Sequence, residues 1–456
     1  MQWWKDRQLW LAAVVGMLAR IVPMVVWMTD WPCVRDECTY LRLAHRLAEG
    51  QGMTVSNGWL WAPGYPFLVA IHEVVFGHGA AIRGTQVIVA GLLCMAIFRL
   101  AQQQGGRRAG LVAVWLYALS PTQIFFSQSL WSECLYSGLL ICGLLLLSKV
   151  RQHHQSSDSA SKLWAGSLGV VIGACMMFRG VAMYMSPLFA VAMLWGRFRS
   201  AAAWSSVVIM IVAATLTVAP YSAYATKKFD DIVITDRTLG QMMWLGNNDC
   251  QPITFDWGNG TLTHREMRRH TKNGRRPCGD ASDGLARERC QTQAGFEWIL
   301  TNKSEFLRRM PMRVAQLVNP HSFVTRHLRE GRWRGLPQIV DEGIIIWNVV
   351  WSLMVMLGGV VGLCGRGRSA RGALVGGLLL YHVGVIACLA GMTRYRVPLE
   401  PLLMLYCAQF IGDPRATISE ILNQRWRLVA SITTMVIFLP LILWYLPSGW
   451  SVWRAW

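Results

Sequence analysis

The feature that most constrains the fold of this chain is a series of long apolar runs that recurs from Gln8 to Tyr445. Many of these runs approach the roughly 20 apolar residues that a helix needs to cross the hydrocarbon core of a bilayer. Only 15% of the 456 residues are charged, whereas soluble domains usually carry about a quarter. The pattern predicts an all-α polytopic membrane protein with about eleven transmembrane helices.

The distribution of basic residues predicts how the chain is oriented in the membrane. Lys5 and Arg7 precede the first apolar run, Leu9 to Met28, which is too long for a signal peptide and is interpreted as the first span. Lys and Arg also fill alternate short loops further along, as expected for loops on the cytoplasmic side. The N-terminus is therefore predicted to be cytoplasmic. This placement accounts for much of the net charge of +19, and no nucleic-acid-binding signature accompanies it.

The spans divide the sequence into three parts. Residues 1–224 form an N-terminal transmembrane module whose first outer loop is residues 29–81, and residues 339–456 form the C-terminal transmembrane helices. The polar segment 225–338 is predicted to be a small soluble subdomain on the outer face. Within the first outer loop, the apolar stretch Phe67 to Phe76 is too short to span and is predicted to be interfacial or re-entrant.

Two adjacent carboxylates, Asp36 and Glu37, open an amphipathic helix in the first outer loop. At about 100° per residue, Asp36 shares the apolar face with Tyr40 and Leu43, while Glu37 points elsewhere. A carboxylate at a membrane boundary is costly and is often functional. The alternative is an ordinary interfacial helix with a favourable acidic first turn. Either carboxylate could face a cavity if the segment begins as a turn.

A second acid and several arginines are predicted at the same depth as Asp36. Glu133 opens the outer end of the fourth span, where it could also simply complement the helix dipole. Arginine suits bidentate recognition of phosphate, although a single arginine could equally extend into lipid headgroups. Together, two carboxylates and a cationic cluster suit acid–base chemistry on an anionic lipid. The outer arginines are Arg35, Arg83, Arg179, Arg394 and Arg396.

Other chemistries have weaker support in the sequence. Most of the 12 cysteines fall in apolar runs, and among those outside the membrane Cys278 with Cys290 is the first choice for a disulfide. No residues show the spacing of a zinc site, a nucleotide-binding glycine loop or a nucleophile elbow. An enzyme working on the outer face would need an activated donor already in the membrane, such as a sugar on a polyprenyl phosphate.

The ordered set of these motifs resembles the GT-C superfamily of membrane glycosyltransferases, in particular its dolichyl-phosphate-mannose-protein mannosyltransferase-like and aminoarabinose-transferase-like branch. The relatives' Lys-Pro-Pro variant of the first loop is absent, which leaves no lysine phosphate contact to infer. A Trp-Trp-Asp motif is also absent, which argues against an oligosaccharyltransferase. The matching pieces are Asp36-Glu37 with Tyr40, Ala44 and Gly50; residues 62–66; Phe76-Gly77 and Arg83; Ser120-Pro121 with Ser132-Glu133; residues 244–248; residues 302–307; and residues 394–401.

The resemblance implies a GT-C fold and roles for particular residues. Asp36 matches the catalytic base, with Glu37 as its alternative, and Glu133 takes the second acidic position. Arg394 and Arg396 would contact the donor phosphate. A divalent cation, Mg or Mn, would be held by Asp36 and Glu133 if the reaction uses one. The substrate pocket would include Tyr40, Tyr65, Asn247, Asn248 and Tyr395.

The leading hypothesis is an inverting glycosyltransferase in the lipid bilayer, acting on the extracytoplasmic face of the cell inner membrane if the source is bacterial. Its donor is a polyprenyl-phosphate-linked sugar, and its acceptor is a lipid, a glycan or a protein. One alternative is an O-antigen ligase or polymerase that uses a diphosphate-linked glycan, in which His264 or His270 would be the base. The other is a lipid or sugar transporter, against which stand the lack of an internal repeat and of mid-membrane charge clusters.

Overall fold

The computed structural model describes residues 3–27, 33, 36–54, 60–153, 158–249, 278, 284–321, 323–331, 333, 335–436 and 439–440. These residues form helices and no strand, so the all-α prediction is confirmed. Four short 3-10 helices cover Trp3–Lys5, Gly79–Ala81, Gly180–Tyr184 and Thr393–Leu399. The α-helices are α1 (Arg7–Trp27), α2 (Asp36–Ala48), α3 (Gly64–Phe76), α4 (Ile82–Ala118), α5 (Pro121–Gln128), α6 (Glu133–His153), α7 (Asp158–Phe178), α8 (Ser186–Leu194), α9 (Ala201–Phe229), α10 (Leu239–Gly246), α11 (Gly284–Thr301), α12 (Lys303–Val318), α13 (Phe323–Arg329), α14 (Gln338–Arg366), α15 (Ala370–Cys388), α16 (Glu400–Gly412) and α17 (Pro414–Leu422).

Within the described ranges, 7 helical segments are long and apolar enough to cross a membrane, which confirms a multi-pass membrane protein. One of them, α4, contains parts of two predicted spans, which meet at a kink at Gly106. The backbone of Gly106 is not helical, with φ 73° and ψ −174°. That backbone favours glycine, and it folds the chain back so that Gly110 packs against Phe98.

The four remaining predicted spans are the second half of α4, two short helices and the chain end. Residues 181–195 and 397–410 contain α8 and α16, which have 9 and 13 residues. Each is shorter than expected because a 3-10 helix occupies the start of the predicted span, Gly180–Tyr184 before α8 and Thr393–Leu399 before α16. The last predicted span begins with helical residues 425–436, and most of its remainder lies outside the described part of the chain.

Small residues let the spanning helices pack closely. Gly169 and Gly173 of α7 face α9, where added Cβ atoms would lie 2.2 Å from the Met210 carbonyl oxygen and 2.8 Å from the Ala214 carbonyl oxygen. Such contacts are typical of helix pairs in lipid, since backbones approach only where side chains are small. The close pair α7 and α9 supports the C-terminal half of α7, which leads into the turn at Arg179.

A buried cation in α1 stabilises the same region. The Arg20 guanidinium is 1% exposed and donates to the carbonyl oxygens of Gly16 at 2.7 Å, Ala118 at 3.1 Å and Tyr117 at 3.3 Å. Residues 117 and 118 end α4, where a positive charge is favourable because the helix dipole is negative there. The Arg20 carbonyl in turn accepts from Gln128 at 2.9 Å, which anchors α5.

The first outer loop folds as two packed helices, α2 and α3. The Tyr40 ring of α2 lies edge-on to Tyr65 of α3, with 4.8 Å between ring centroids. The outer face of α3 exposes apolar side chains such as Phe67, Val74 and Phe76, which fits the predicted interfacial position. A disulfide joins Cys33 to Cys38 and so ties the preceding segment to the first turn of α2.

A histidine between these two helices predicts a pH-dependent stability. His45 Nδ1 lies 2.6 Å from Glu73 Oε1 and His45 Nε2 lies 3.1 Å from Glu49 Oε1. The hydrogen bond to Glu73 raises the pKa of His45. A raised pKa means that the contact stabilises fully below the ordinary value of about 6.5 and is lost as pH rises through the folded value.

We therefore expect the melting temperature of the wild type to fall as pH rises above about 6.5 and His45 loses its proton. Glu73→Gln removes the larger cause of the shift and should flatten the dependence. Thermal unfolding of both proteins in one detergent checks this, and equal slopes would contradict it.

Most described residues of the segment 225–338, which is predicted to lie on the outer face, are helical. α10 and α11 pack together, and Arg237 bonds Glu288 of α11 at 3.0 Å. A disulfide joins Cys278 to Cys290, the pairing favoured from the sequence. The division into residues 1–224, 225–338 and 339–456 stays a prediction.

Candidate active site

Four charged side chains meet at one end of the helix bundle because each lies where a helix begins or ends. Asp36 begins α2, and Glu133 begins α6. Arg179 directly follows α7, and Arg394 lies in the 3-10 helix Thr393–Leu399 that precedes α16. These turns were predicted at a common depth, and the structure brings all four side chains into one network.

The network alternates carboxylates and guanidinium groups. Arg394 donates from Nη1 to Asp36 Oδ2 and from Nε to Glu133 Oε1. Arg179 Nη1 lies 2.9 Å from the same Glu133 oxygen. Glu133 is fully buried, and its other oxygen, Oε2, has no hydrogen-bond partner among the described residues. Two cations around this carboxylate offset the cost of burying its charge.

Aromatic rings enclose both arginines. The Arg394 guanidinium lies 4.5 Å from the centroid of the Trp131 ring. Arg179 lies 5.8 Å from the rings of Tyr136 and Tyr395. Cation–π contacts favour a guanidinium in these positions and limit its access to water. Opposite charges on Glu133 and Asp36 hold the pKa of Arg394 well above its usual range, despite burial that acts the other way.

The two adjacent carboxylates of α2 have different surroundings. The Asp36 side chain is 32% exposed, whereas Glu37 is 1% exposed. Glu37 Oε1 accepts a hydrogen bond from the Leu130 backbone amide at 3.0 Å, and the charge of Arg83 acts on Glu37 as well. Glu37 thus holds the loop before α6, while Asp36 is the more accessible of the two carboxylates.

Tyr40 and Tyr65 lie beneath the network. Burial raises the pKa of Tyr40 to about 12, although the charge of Arg394 acts the other way. The Tyr65 hydroxyl donates to Gln86 Oε1 at 3.0 Å. Gln86 Nε2 donates to the carbonyl oxygens of Ser127 at 3.0 Å and Ser129 at 2.9 Å. This chain of hydrogen bonds fixes the loop that presents Glu133.

Arg396 points away from the network. Its Nε donates to Glu400 Oε1 at 3.0 Å, and its Nη1 donates to the carbonyl oxygens of Leu317 at 3.1 Å and Asn319 at 2.7 Å. The Arg396 side chain is 3% exposed. It therefore joins the 3-10 helix to α12 and α16.

Asn247 and Asn248 are also bound to backbone groups. Asn247 Nδ2 donates to the Cys388 carbonyl at 3.0 Å, and Asn247 Oδ1 accepts from Arg313 at 2.9 Å. Asn248 Nδ2 donates to the Trp244 carbonyl at 2.7 Å. Both asparagines follow the end of α10; Asn247 joins it to the end of α15, and Asn248 bonds back to α10 itself. Arg35, His264 and His270 lie outside the described residues.

The structure adds two residues that the sequence analysis did not select. Trp131 had a visible signal, since it lies two residues before Glu133. Asp236 had none, because it lies in the outer segment far along the chain. Its carboxylate packs on Gly180, where an added Cβ would lie 2.0 Å from Asp236 Oδ1. Asp236 also interacts electrostatically with Arg179. Burial raises the pKa of Asp236.

The described residues contain no group of three or more histidine, cysteine, aspartate or glutamate side chains that could hold a metal ion. The site is thus a carboxylate–guanidinium cluster.

One family model and several solved structures match this chain. The family model described as dolichyl-phosphate-mannose-protein mannosyltransferase matches residues 61–222, which include Tyr65, Glu133 and Arg179. None of the curated proteins matches the sequence.

Among solved structures, the Archaeoglobus fulgidus oligosaccharyltransferase complex with Zn and sulfate is similar over 96% of this chain and 52% of its own, at 13% identity and a TM-score of 0.52. AglB from the same organism, in complex with an inhibitory peptide and a dolichol-phosphate, is similar over 96% of this chain and 54% of its own, at 12% identity and a TM-score of 0.51. ArnT from Cupriavidus metallidurans bound to undecaprenyl phosphate is similar over 90% of this chain and 79% of its own, at 13% identity and a TM-score of 0.42.

This chain spans about half the length of the oligosaccharyltransferases that it matches. At this level of identity the likeness concerns the fold. The predicted resemblance to the GT-C superfamily is confirmed by the family model over residues 61–222 and by the shared helical fold over nearly the whole chain.

Proposed function

We propose that this chain is a membrane glycosyltransferase that moves a sugar from a polyprenyl-phosphate donor to a lipid, glycan or protein acceptor on the extracytoplasmic face. The observation that carries the proposal is the network Asp36–Arg394–Glu133–Arg179. It combines one solvent-accessible carboxylate with two guanidinium groups at one end of a membrane bundle. The family match to residues 61–222 supports the same reaction class, and the basic loops support the orientation.

Asp36 is the proposed general base. As the acceptor hydroxyl oxygen attacks the anomeric carbon, its proton passes to the Asp36 carboxylate. The bond between the anomeric carbon and the phosphate oxygen breaks, and its electron pair leaves with the polyprenyl phosphate. Because one nucleophile displaces one leaving group, the configuration at the anomeric carbon inverts. Phosphate leaves as a stable anion, so the reaction needs no strong general acid.

The donor phosphate is assigned to Arg179 and Arg394. Each guanidinium has five N–H donors in a planar fork, and the contacts to Asp36 and Glu133 engage only some of them. Fixed donors in a site with little water stabilise the charge that develops on the leaving phosphate. Arg396 is excluded from this role by its bonds to Glu400 and to backbone carbonyls.

A groove beside the site fits the lipid chain of the donor. It has a volume of about 580 Å³ and runs along α9 from Ile211 to Lys227, against Met176 of α7 and Ser186 of α8. Its walls are mostly apolar, and Met176 lies one turn of helix before Arg179. We propose that the polyprenyl chain lies in this groove with its phosphate at the arginine cluster. The dolichol-phosphate in the AglB structure supports a donor of this chemical class.

Filling the groove should therefore weaken the use of long-chain donors. Ala219 is exposed and lines the groove, so we expect Ala219→Trp to raise KM for a long polyprenyl donor about tenfold or more, by removing contacts along several methylene groups. A donor with a short, water-soluble chain should react as before. Leu216→Trp is the matched control, because Leu216 is 66% exposed on the same helix outside the groove. Equal effects of the two variants would contradict the assignment.

The proposed activity is tested with purified protein in liposomes that contain cell-envelope acceptors. A panel of polyprenyl-phosphate monosaccharides and diphosphate-linked glycans is supplied, and mass spectrometry follows the donors and products. We expect consumption of a monophosphate donor with release of polyprenyl phosphate. Consumption of only diphosphate-linked glycans would favour the ligase or polymerase. Movement of intact donor without sugar transfer would favour a transporter.

A further inference from the structure

The two carboxylates of the network share a single cation that belongs to the protein. Arg394 bonds both Asp36 and Glu133 through two nitrogen atoms of one planar group. Two carboxylates that share a small site repel each other, and one of them retains a proton unless a cation lies between them. In this chain that cation is a guanidinium, which stays charged at any physiological pH.

The solved structures of similar fold suggest a different cation, a divalent metal ion, between Asp36 and Glu133. An oligosaccharyltransferase of similar fold is crystallised with zinc, and Asp36 and Glu133 are the residues that the sequence offers as ligands. Divalent cations bind carboxylate oxygens and need several of them, or water, around one centre. Here the facing oxygens, Asp36 Oδ2 and Glu133 Oε1, already accept from Arg394. The described residues also supply no third ligand nearby, so the donor set does not fit a metal.

We infer that Arg394 is a built-in cation that occupies the place of a divalent metal between Asp36 and Glu133, and that its guanidinium excludes Mg and Mn from the site. The inference concerns cation binding and stands whether or not the proposed transfer is correct. If the transfer is correct, it follows that Arg394 supplies the positive charge beside Asp36 without any metal.

The structure holds Arg394 in this position from several sides. Trp131 covers the guanidinium with its ring centroid 4.5 Å away, and only 10% of the Arg394 side chain is exposed. The backbone around it is fixed as well. The Val397 carbonyl accepts from Gln123 at 3.0 Å, and Arg396 ties the same 3-10 helix to Glu400. A metal ion could enter only by displacing an anchored and doubly paired side chain.

Removing the guanidinium should convert the site into a cation site. In Arg394→Met, Asp36 and Glu133 would face each other without a cation between them, since Arg179 contacts Glu133 alone, and they would capture Mn²⁺. We expect this variant of the full-length protein to bind Mn²⁺ about tenfold or more tightly than the wild type, with at least one additional site per chain, in electron paramagnetic resonance titrations. Adding Asp36→Asn to Arg394→Met should abolish the gain.

Arg179→Met is the matched control for this titration. It removes a cation from the same carboxylate, Glu133, but leaves Arg394 between the two acids, so it should gain no Mn²⁺ site. The wild type gives a second test that does not depend on whether Arg394→Met folds. Stoichiometric Mn²⁺ binding by the wild type that Asp36→Asn abolishes would overturn the inference. A folded Arg394→Met without the gain would overturn it as well.

Discussion

Asp36→Asn is expected to lower kcat by about 10²–10⁴-fold, the usual contribution of a positioned general base. The amide has nearly the same shape and can still accept from Arg394, so the network and the donor site should persist. What the variant loses is a group that can take the proton of the acceptor hydroxyl. The rate of sugar transfer and the binding of polyprenyl phosphate, measured on the same preparation, separate these two properties.

Glu37→Gln is the matched control, because it makes the same chemical change one residue along α2. Glu37 is buried and bonded to the Leu130 amide, and a glutamine oxygen can accept the same hydrogen bond. We expect its activity to stay within about tenfold of wild type, as for a single interaction of about 1.4 kcal/mol. A larger loss in Glu37→Gln than in Asp36→Asn would move the base to Glu37.

Arg396→Met is expected to reduce the free energy of unfolding by about 3–5 kcal/mol. The substitution leaves the Glu400 carboxylate buried without its charge partner, and it removes the donor to the carbonyls of Leu317 and Asn319. Thermal and denaturant unfolding in detergent measure the change.

Replacing both Arg396 and Glu400 separates the contribution of their ion pair from that of the bonds between Arg396 and the backbone. Arg396→Met with Glu400→Leu removes the unpaired charge, so the double variant should recover most of the stability lost in the single one. If the double variant is as unstable as Arg396→Met, the bonds from Arg396 to the backbone, and not the ion pair, carry the stability.

Much of the fold could be predicted from the sequence, because each membrane-spanning helix appears in it as a long run of apolar residues. The ends of the short helices α8 and α16 were harder to predict, since a 3-10 helix precedes each of them and the apolar pattern does not distinguish it from an α-helix. The hairpin within α4 depends on a single glycine, Gly106, in a left-handed conformation. The apolar pattern predicted two spans there but not the tight turn that joins them.

The site was partly predictable for a related reason. Topology gives the depth of each residue, and depth correctly grouped Asp36, Glu133, Arg179 and Arg394. Depth does not give the direction of a side chain, so Arg396, two residues after Arg394, was assigned to the same role although it points into the bundle. Asp236 was missed because it reaches the site through tertiary packing on Gly180.

The most direct test of the central claim is the anomeric configuration of the transferred sugar. Proton and carbon NMR of the product formed from a donor of known configuration measures it. We expect inversion, since the acceptor activated by Asp36 displaces the phosphate in one step. Retention of configuration would require a covalent sugar–enzyme intermediate or a second displacement, and it would contradict the role given to Asp36.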